Sequence, residues 1–200
     1  PLQKTHHPAA QKRFRIVYTG TLWNLTTVEP LIHAIEAVHQ SQPEILKNLE
    51  LQFIGRKTPE QQALLERIRQ TACTLLTEEY CAHHEALKKM AHADALCLLL
   101  SDVEGADRVA PAKLFEYLAI QREILSITPA GETAEILGSF WPASNFRADN
   151  IAGMATWLTE RLTETHDACI SQPEQIDQFK REYQAGQLAD LLNQLVNNTV

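Results

Sequence analysis

The sequence predicts an α/β fold with a doubly wound parallel sheet. Segments typical of strands and helices alternate about five times along the chain. One of the strand segments, residues 95–100, is a continuous apolar run, as expected for a central parallel strand covered by helices on both faces. Because crossovers between parallel strands are almost always right-handed, the helices are expected to cover both sides of a single sheet.

The predicted strands are short, rich in apolar residues and followed by turn residues. We expect them at residues 14–19, 49–54, 73–76, 95–100 and 123–127, with Phe140 and Trp141 in a final short strand. The first two strands end at Gly20 and Gly55. Such strand-to-glycine junctions predict tight turns at one edge of the sheet.

The predicted helices have apolar residues that recur at three and four positions, which is the period of an amphipathic helix. We expect helices at residues 26–40, 59–71, 84–93, 111–119, 132–137, 149–164 and 173–196. Pro111 would lie in a first turn, where its missing N–H costs little. Asp149 is the expected N-cap of its helix.

Composition narrows the class of protein. The formal net charge is −7, and the 18 Lys and Arg residues form no long run, which argues against nucleic-acid binding. No apolar stretch reaches the roughly 18 residues of a membrane span, and the four cysteines include no CxxC pair, so we expect a cytoplasmic protein without a zinc site. Residues 1–13 are expected to be a linker from a missing N-terminal domain, and residues 14–200 a single domain.

Ligands of such sheets bind beyond the carboxyl ends of the strands. Gly20 and Thr21 begin the first loop at this edge, where a glycine lets backbone N–H groups approach a phosphate. The loop is neither GxGxxG nor a P-loop, which disfavours a dinucleotide-dependent dehydrogenase. The alternative is a plain turn. His83 and His84 are expected in loop or helix-cap roles, since no third metal ligand has suitable spacing.

Residues 101–119 form the most informative stretch, because they follow the central strand and open a helix. Lys113 would lie in the first turn, where the helix dipole disfavours a cation, and this indicates an anionic partner nearby. Glu116 could accept two hydroxyl hydrogen bonds, as ribose recognition requires. The alternative is that Lys113 and Glu116 form a pair on the helix surface.

Residues 111–119, PAKLFEYLA, resemble the P-x-K-x-x-E-Y-L-A signature of family 4 (group 1) glycosyltransferases, which are GT-B enzymes with two Rossmann-like domains. Less specific matches follow the same order along nearly the whole chain, at residues 14–20, 51–55, 83–87, 93–96 and 179–192. The resemblance implies that the chain is the C-terminal, donor-binding half of a GT-B fold.

The resemblance also implies roles for individual residues. Glu116 would bind the nucleotide ribose, Lys113 would lie near the diphosphate, and Gly20 would mark the loop that faces the donor phosphates. The loop after Leu76 would hold the base, mostly through its backbone. Neither a metal nor a cofactor is expected, and no catalytic residue is assigned. The expected donor-binding residues are Gly20, Thr21, Arg56, Glu104, Arg108, Lys113, Leu114 and Glu116.

Two departures from the family pattern affect the donor site. Arg108 stands eight residues before Glu116, where the family has a glutamate that contacts the donor sugar. Either Glu104 or Asp107 takes that place, or Arg108 reads a carboxylate-bearing sugar through its guanidinium fork. Residues 21–27 contain no cation, so Arg56, Lys57, Arg108 or Lys113 would have to contact the diphosphate instead.

The resemblance implies a retaining transferase of polysaccharide biosynthesis. It would move a hexosyl group from a nucleoside-diphosphate sugar to a glycan or lipid-linked acceptor held by the missing N-terminal domain, so the 200 residues alone are expected to be inactive. Peripheral membrane association of the full enzyme is compatible with this role. A noncatalytic GT-B-like binding module is the main alternative, favoured by the missing cations. An epimerase-type isomerase is a third possibility, and the signature argues against it.

Overall fold

The computed structural model describes residues 13–164 and 173–197. Six parallel strands form one sheet in the order β3-β2-β1-β4-β5-β6, so the direction of winding reverses between β1 and β4. The doubly wound parallel sheet predicted from the sequence is therefore confirmed. The strands are β1 (Phe14–Thr19), β2 (Leu49–Ile54), β3 (Thr74–Glu78), β4 (Ala95–Leu99), β5 (Glu123–Ile127) and β6 (Asn145–Phe146).

Helices cover both faces of the sheet. The described helices are α1 (Glu29–Ser41), α2 (Pro59–Ile68), α3 (His83–Ala91), α4 (Ala112–Ile120), α5 (Glu132–Phe140), α6 (Ile151–Thr163) and α7 (Arg181–Asn197). Buried side chains of α1, α2 and α6 form a core on one face, and those of α3, α4 and α5 form a second core on the other. None of the helices in the described ranges is long and apolar enough to cross a bilayer.

The strands supply side chains to the two cores alternately. In β1, Ile16 and Tyr18 enter the core with α1, whereas Val17 enters the core with α4. All five residues of β4 are buried in the same alternating way. Successive side chains of a strand point to opposite faces, so a strand with helices on both sides is apolar throughout. This arrangement explains the continuous apolar run of the sequence.

The expected final strand at Phe140 and Trp141 is wrong. Phe140 ends α5 and Trp141 follows it, and both rings pack into the second core. The sixth strand is β6, whose register pairs Ser126 with Asn145. A short apolar run is too short for its periodicity to distinguish a strand from the end of a helix. Here Phe140 and Trp141 are apolar because the end of α5 packs into the second core.

Several helix ends also differ from expectation. Asn150, not Asp149, is the N-cap of α6, and its side-chain oxygen accepts a hydrogen bond of 3.0 Å from the Gly153 N–H. The expected C-terminal helix is divided into a 3₁₀ segment, Pro173–Phe179, and α7. Except for Arg13, the predicted linker lies outside the described residues, as does Cys169. Cys73 and Cys97 are buried, as expected.

Candidate functional site

A cleft of about 480 Å³ opens at the carboxyl ends of β1, β2 and β3. Its walls come from the loops that follow these three strands and from the first turns of α3. Among the residues expected to bind a donor, Gly20, Thr21 and Arg56 line this cleft. The position agrees with the general rule that open parallel sheets bind ligands beyond the carboxyl ends of their strands.

Two glycines form the floor of the cleft. Gly20 and Gly55 have φ values of +120° and +130°, where residues with side chains are strained. A Cβ atom at Gly55 would lie 2.1 Å from the carbonyl oxygen of Gly20, so the two loops touch through their backbones. The Gly20 N–H donates a 2.8 Å hydrogen bond to the carbonyl oxygen of Ile54. The floor is therefore formed by the backbone of two loops that touch each other.

Lys113 places a cation beneath this floor. Its Nζ donates hydrogen bonds of 3.0 Å to the Tyr18 hydroxyl and to the Thr19 carbonyl oxygen, and lies 2.8 Å from where a Cβ of Gly20 would stand. Burial lowers the pKa of Lys113 to about 8. Within residues 13–164 and 173–197 no carboxylate forms an ion pair with it. The alternative of a surface pair between Lys113 and Glu116 is thus wrong.

Two tyrosines fix α4 against the first loop, a role that the sequence analysis missed. The buried Tyr117 hydroxyl accepts a 3.0 Å hydrogen bond from the Thr19 N–H. Tyr18, which receives the Lys113 bond, donates in turn to the Thr21 carbonyl oxygen at 2.8 Å. Burial raises the pKa of both phenols, so they remain neutral donors and acceptors. Tyr117 is the tyrosine of the P-x-K-x-x-E-Y-L-A signature, and this was the one feature of the sequence that could have indicated its role.

Glu116 lies on the exposed side of α4. Its Oε1 is 3.9 Å from Nε2 of His83, a residue that lines the cleft, and its side chain is 46% exposed. The same carboxylate also borders a second depression of about 710 Å³ between α4 and the chain around Phe179 and Arg181. Glu116 therefore lies between the cleft and the second depression. Its side chain is accessible to solvent and takes no part in core packing.

The two cations after β2 have different roles. Arg56 is exposed and lines the cleft. Lys57 instead donates from Nζ to the carbonyl oxygens of Gly55 and Glu78, at 2.5 and 2.8 Å, and desolvation lowers its pKa. Lys57 thereby joins the loops that follow β2 and β3, which leaves Arg56 as the side chain of this pair that faces the cleft.

The remaining expected donor residues lie apart from this cleft. Glu104 and Arg108 are exposed on the loop after β4, and Arg108 Nε is 3.9 Å from Oδ1 of Asp107. A Cβ at Gly131 would lie 2.1 Å from the Asp107 carbonyl oxygen, so the start of α5 braces this loop. The Leu114 side chain is buried in the core, which leaves only its backbone for a ligand contact.

The described residues contain no group of three or more His, Cys, Asp or Glu side chains arranged to hold a metal ion. The cleft is lined by backbone groups, by the cation of Arg56 and by the carboxylate of Glu79. Such groups bind and orient a polar anion, and they stabilise negative charge where it forms.

No protein-family model matches the sequence, and no curated protein matches it. The fold nevertheless resembles solved glycosyltransferase structures. The E. coli trehalose-6-phosphate protein bound with UDP-2-fluoro glucose matches with a TM-score of 0.64 and 14% identity, over 90% of this chain and 44% of that one. S. aureus TarM, in complex with fondaparinux, α-GlcNAc-glycerol and UDP, matches with a TM-score of 0.55 and 10% identity, over 80% of this chain and 31% of that one.

A third match covers a chain of similar size. The C-terminal domain of LpcC, a group 1 family glycosyl transferase from Francisella tularensis, has a TM-score of 0.55 and 15% identity, over 76% of this chain and 77% of that one. This chain spans less than half the length of the first two structures. Identities this low establish a common fold, and the chain therefore has the Rossmann-like fold that occurs in GT-B glycosyltransferases.

Proposed function

We propose that the chain is the nucleotide-sugar donor-binding domain of a retaining glycosyltransferase. The observation that carries this proposal is the cleft itself, whose floor is the touching backbone of Gly20 and Gly55, with the Lys113 ammonium directly beneath. A nucleoside diphosphate needs a place where its phosphates approach backbone amides and positive charge. The cleft offers positive charge in Lys113 and a backbone amide in the Thr21 N–H, whereas the N–H groups of Gly20 and Gly55 already donate to carbonyl oxygens.

The electrostatics of Lys113 favour an anionic ligand. Its ammonium is partly buried, and its two hydrogen bonds go to neutral oxygens. Desolvation of a charge without a counter-ion is costly, so a phosphate bound over Gly20 would stabilise the protonated lysine. The Thr21 N–H has no hydrogen-bond partner among the described residues, and Arg56 adds an exposed guanidinium to the same cleft. These groups replace the cations that are absent from residues 21–27.

Glu116 fits the role of ribose ligand. Its carboxylate is accessible and lies next to His83, which is part of the cleft wall. A carboxylate accepts hydrogen bonds from two neighbouring hydroxyl groups, which is the pattern that a ribose presents. In this arrangement the diphosphate lies at Gly20, the ribose lies toward α4, and the base lies toward the loop after β3.

The proposal extends to the whole enzyme. Glu104, Asp107 or Arg108 would meet the donor sugar, and an additional domain would hold the acceptor, a glycan or a lipid-linked glycan to which a hexosyl group is transferred. The structures with a similar fold include proteins bound with UDP-2-fluoro glucose and UDP, and one is a trehalose-6-phosphate synthase analysed for glycosyltransfer with retention. Without the acceptor domain, the 200 residues should bind a donor but turn over little or none of it.

Calorimetric titration with UDP-, GDP- and ADP-sugars tests the proposal. We expect at least one of them to bind, and Glu116→Ala to weaken that binding about tenfold through loss of the two ribose hydrogen bonds. Glu135→Ala removes an exposed carboxylate from α5, which packs near β5 and β6 at the opposite end of the sheet from the cleft. It is the matched control and should leave affinity unchanged. Absence of binding by a correctly folded protein for all three donor classes would refute the proposed function.

A noncatalytic binding module is the second candidate, because residues 21–27 contain no cation to stabilise a leaving diphosphate. Assays on a protein that carries this domain together with the proposed acceptor domain distinguish the two. Donor binding together with hydrolysis or transfer of the sugar supports the enzyme, whereas tight binding without either reaction supports the module.

A further inference from the structure

The loop after β3 places an aromatic side chain at the cleft to which the proposed function assigns no role. Tyr80 lines the cleft with 87% of its surface exposed, more than any other large apolar or aromatic side chain in the described part of the chain. Exposed aromatic faces of this kind are the surfaces on which nucleic bases stack. Tyr80 therefore offers a plane for the base of the ligand.

Glu79, which precedes Tyr80, places a carboxylate at the cleft to which the proposed function assigns no role. It lines the same cleft, and no hydrogen bond or ion pair within the described ranges engages it. The nearby cation Lys57 directs its Nζ to the carbonyl oxygens of Gly55 and Glu78. The acceptor capacity of the Glu79 carboxylate is therefore available to a ligand.

The backbone that carries both side chains is held firmly. The Gly55 N–H donates to the Glu78 carbonyl oxygen at 3.0 Å, and Lys57 bonds to the same oxygen. The Glu78 carboxylate forms an ion pair with Lys89 and accepts a 2.8 Å hydrogen bond from Gln52. Glu79 and Tyr80 thus begin from a fixed strand end, which lowers the entropy lost when a base is bound.

We propose that Glu79 and Tyr80 form a base subsite that selects guanine, so that the donor is a guanosine-diphosphate sugar. This inference rests on the proposed function, and it adds the identity of the nucleotide. Tyr80 stacks on the base, and Glu79 accepts hydrogen bonds from its edge. The cleft volume of about 480 Å³ is in the range of small-molecule sites.

The selectivity follows from the hydrogen-bond pattern of the bases. A carboxylate only accepts hydrogen bonds, and its two oxygens match two adjacent donors. Guanine presents N1–H and the N2 amino group side by side, so both oxygens are satisfied by charge-assisted bonds. Uracil presents one N–H between two carbonyl oxygens, and adenine and cytosine each present one amino group beside an acceptor nitrogen. With those bases one carboxylate oxygen faces a lone pair.

Calorimetric titration of the 200-residue chain with GDP, UDP and ADP tests the inference. We expect GDP to bind at least about tenfold more tightly than UDP or ADP, in line with the discrimination given by bidentate base contacts. Glu79→Gln should weaken GDP about tenfold and leave UDP equal or tighter, because an amide both donates to a uracil carbonyl and accepts from its N–H. Glu135→Gln makes the same charge change on α5 and should alter none of the three affinities.

Tyr80 provides an independent measurement. Tyr80→Ala should weaken all three nucleotides by a similar factor, about tenfold, because stacking does not depend on base identity. Tyr80→Phe retains the ring and should bind like the unmodified protein. Equal losses across the bases in Tyr80→Ala, combined with a base-dependent loss in Glu79→Gln, would support the division of roles between the two residues.

Three results would overturn the inference. Equal or tighter binding of UDP or ADP than of GDP would do so while leaving the proposed function intact. A uniform gain for all three nucleotides in Glu79→Gln would show that the carboxylate only repels phosphate and does not read the base. Failure of every nucleotide to bind the folded protein would remove both the inference and the proposed function.

Discussion

Substitution of Gly55 by alanine tests how the cleft floor is built. Gly55 has a φ of +130°, and an added Cβ would lie 2.1 Å from the carbonyl oxygen and 2.6 Å from the carbonyl carbon of Gly20. Both of these atoms belong to the backbone, so no side-chain rotation relieves the overlap. The Gly55→Ala variant must change its own backbone conformation, displace the Gly20 loop, or do both.

The loss of stability can be estimated from these two contributions. A residue with a side chain in a backbone region reserved for glycine costs about 1–3 kcal/mol. Displacement of the Gly20 loop breaks the hydrogen bond from the Gly20 N–H to Ile54, which contributes about 1 kcal/mol more. We therefore expect a loss of about 2–4 kcal/mol in the free energy of unfolding. At about 2–4 °C per kcal/mol for a protein of this size, Tm should fall by roughly 4–16 °C.

Urea unfolding and thermal melting provide the assay, with Gly186→Ala as the matched control. Gly186 lies within α7, and a Cβ added there meets nothing within 4 Å. Alanine is favoured over glycine in a helix by about 0.5–1 kcal/mol, so this second substitution should leave stability unchanged or raise it slightly. Donor affinity should fall in Gly55→Ala alone. If Gly55→Ala unfolds at the same urea concentration as the unmodified protein, the close approach of the two loops is refuted.

Three further predictions concern side chains around the sheet. Burial lowers the pKa of Lys113 from 10.5 to about 8. Between these pH values the unfolded chain binds more protons than the folded one, so the free energy of unfolding rises with pH. Lys113→Met should remove this contribution to the increase in the free energy of unfolding, measured by urea unfolding between pH 8 and pH 10. Tyr117→Phe leaves the Thr19 N–H without its acceptor and should lower the free energy of unfolding by about 1–3 kcal/mol, measured in the same way. Arg161→Met leaves the buried carboxylate of Glu123 without its two guanidinium hydrogen bonds of 2.8 Å and should lower the free energy of unfolding by about 3–5 kcal/mol. Nucleotide affinity, titrated as above, should stay unchanged, because this ion pair joins α6 to the amino end of β5, away from the cleft.

Much of the fold followed from local patterns in the sequence. The bounds of β1, β2 and β5 coincide with the expected strands at residues 14–19, 49–54 and 123–127. These segments are short, rich in apolar residues and followed by turn residues. The expectation failed at Phe140 and Trp141, where apolar residues belong to the end of α5. Burial by tertiary contacts gives the same composition to a helix end and to a strand.

The candidate site was predictable in part. Gly20, Thr21 and Arg56 line the cleft, as their positions after β1 and β2 suggested. The environment of Lys113 was not predictable, because its hydrogen-bond partners, Tyr18 and Thr19, lie far away in the sequence. The role of Lys57 was also missed, since nothing in the sequence shows that its ammonium joins two loops. The resemblance implied that the loop with Glu79 and Tyr80 holds a base mostly through its backbone, but it did not predict that both residues line the cleft.

The sequence by itself determined the order of strands and helices, the glycines at the ends of β1 and β2, and the edge of the sheet where a ligand would bind. These properties depend on periodicity and backbone freedom within a few residues. Only the tertiary structure decided that Lys113 lies under Gly20, that Glu116 stands beside His83, and that Gly55 touches Gly20. Each of these contacts joins segments distant in the chain, and packing of the sheet and its helices brings them together.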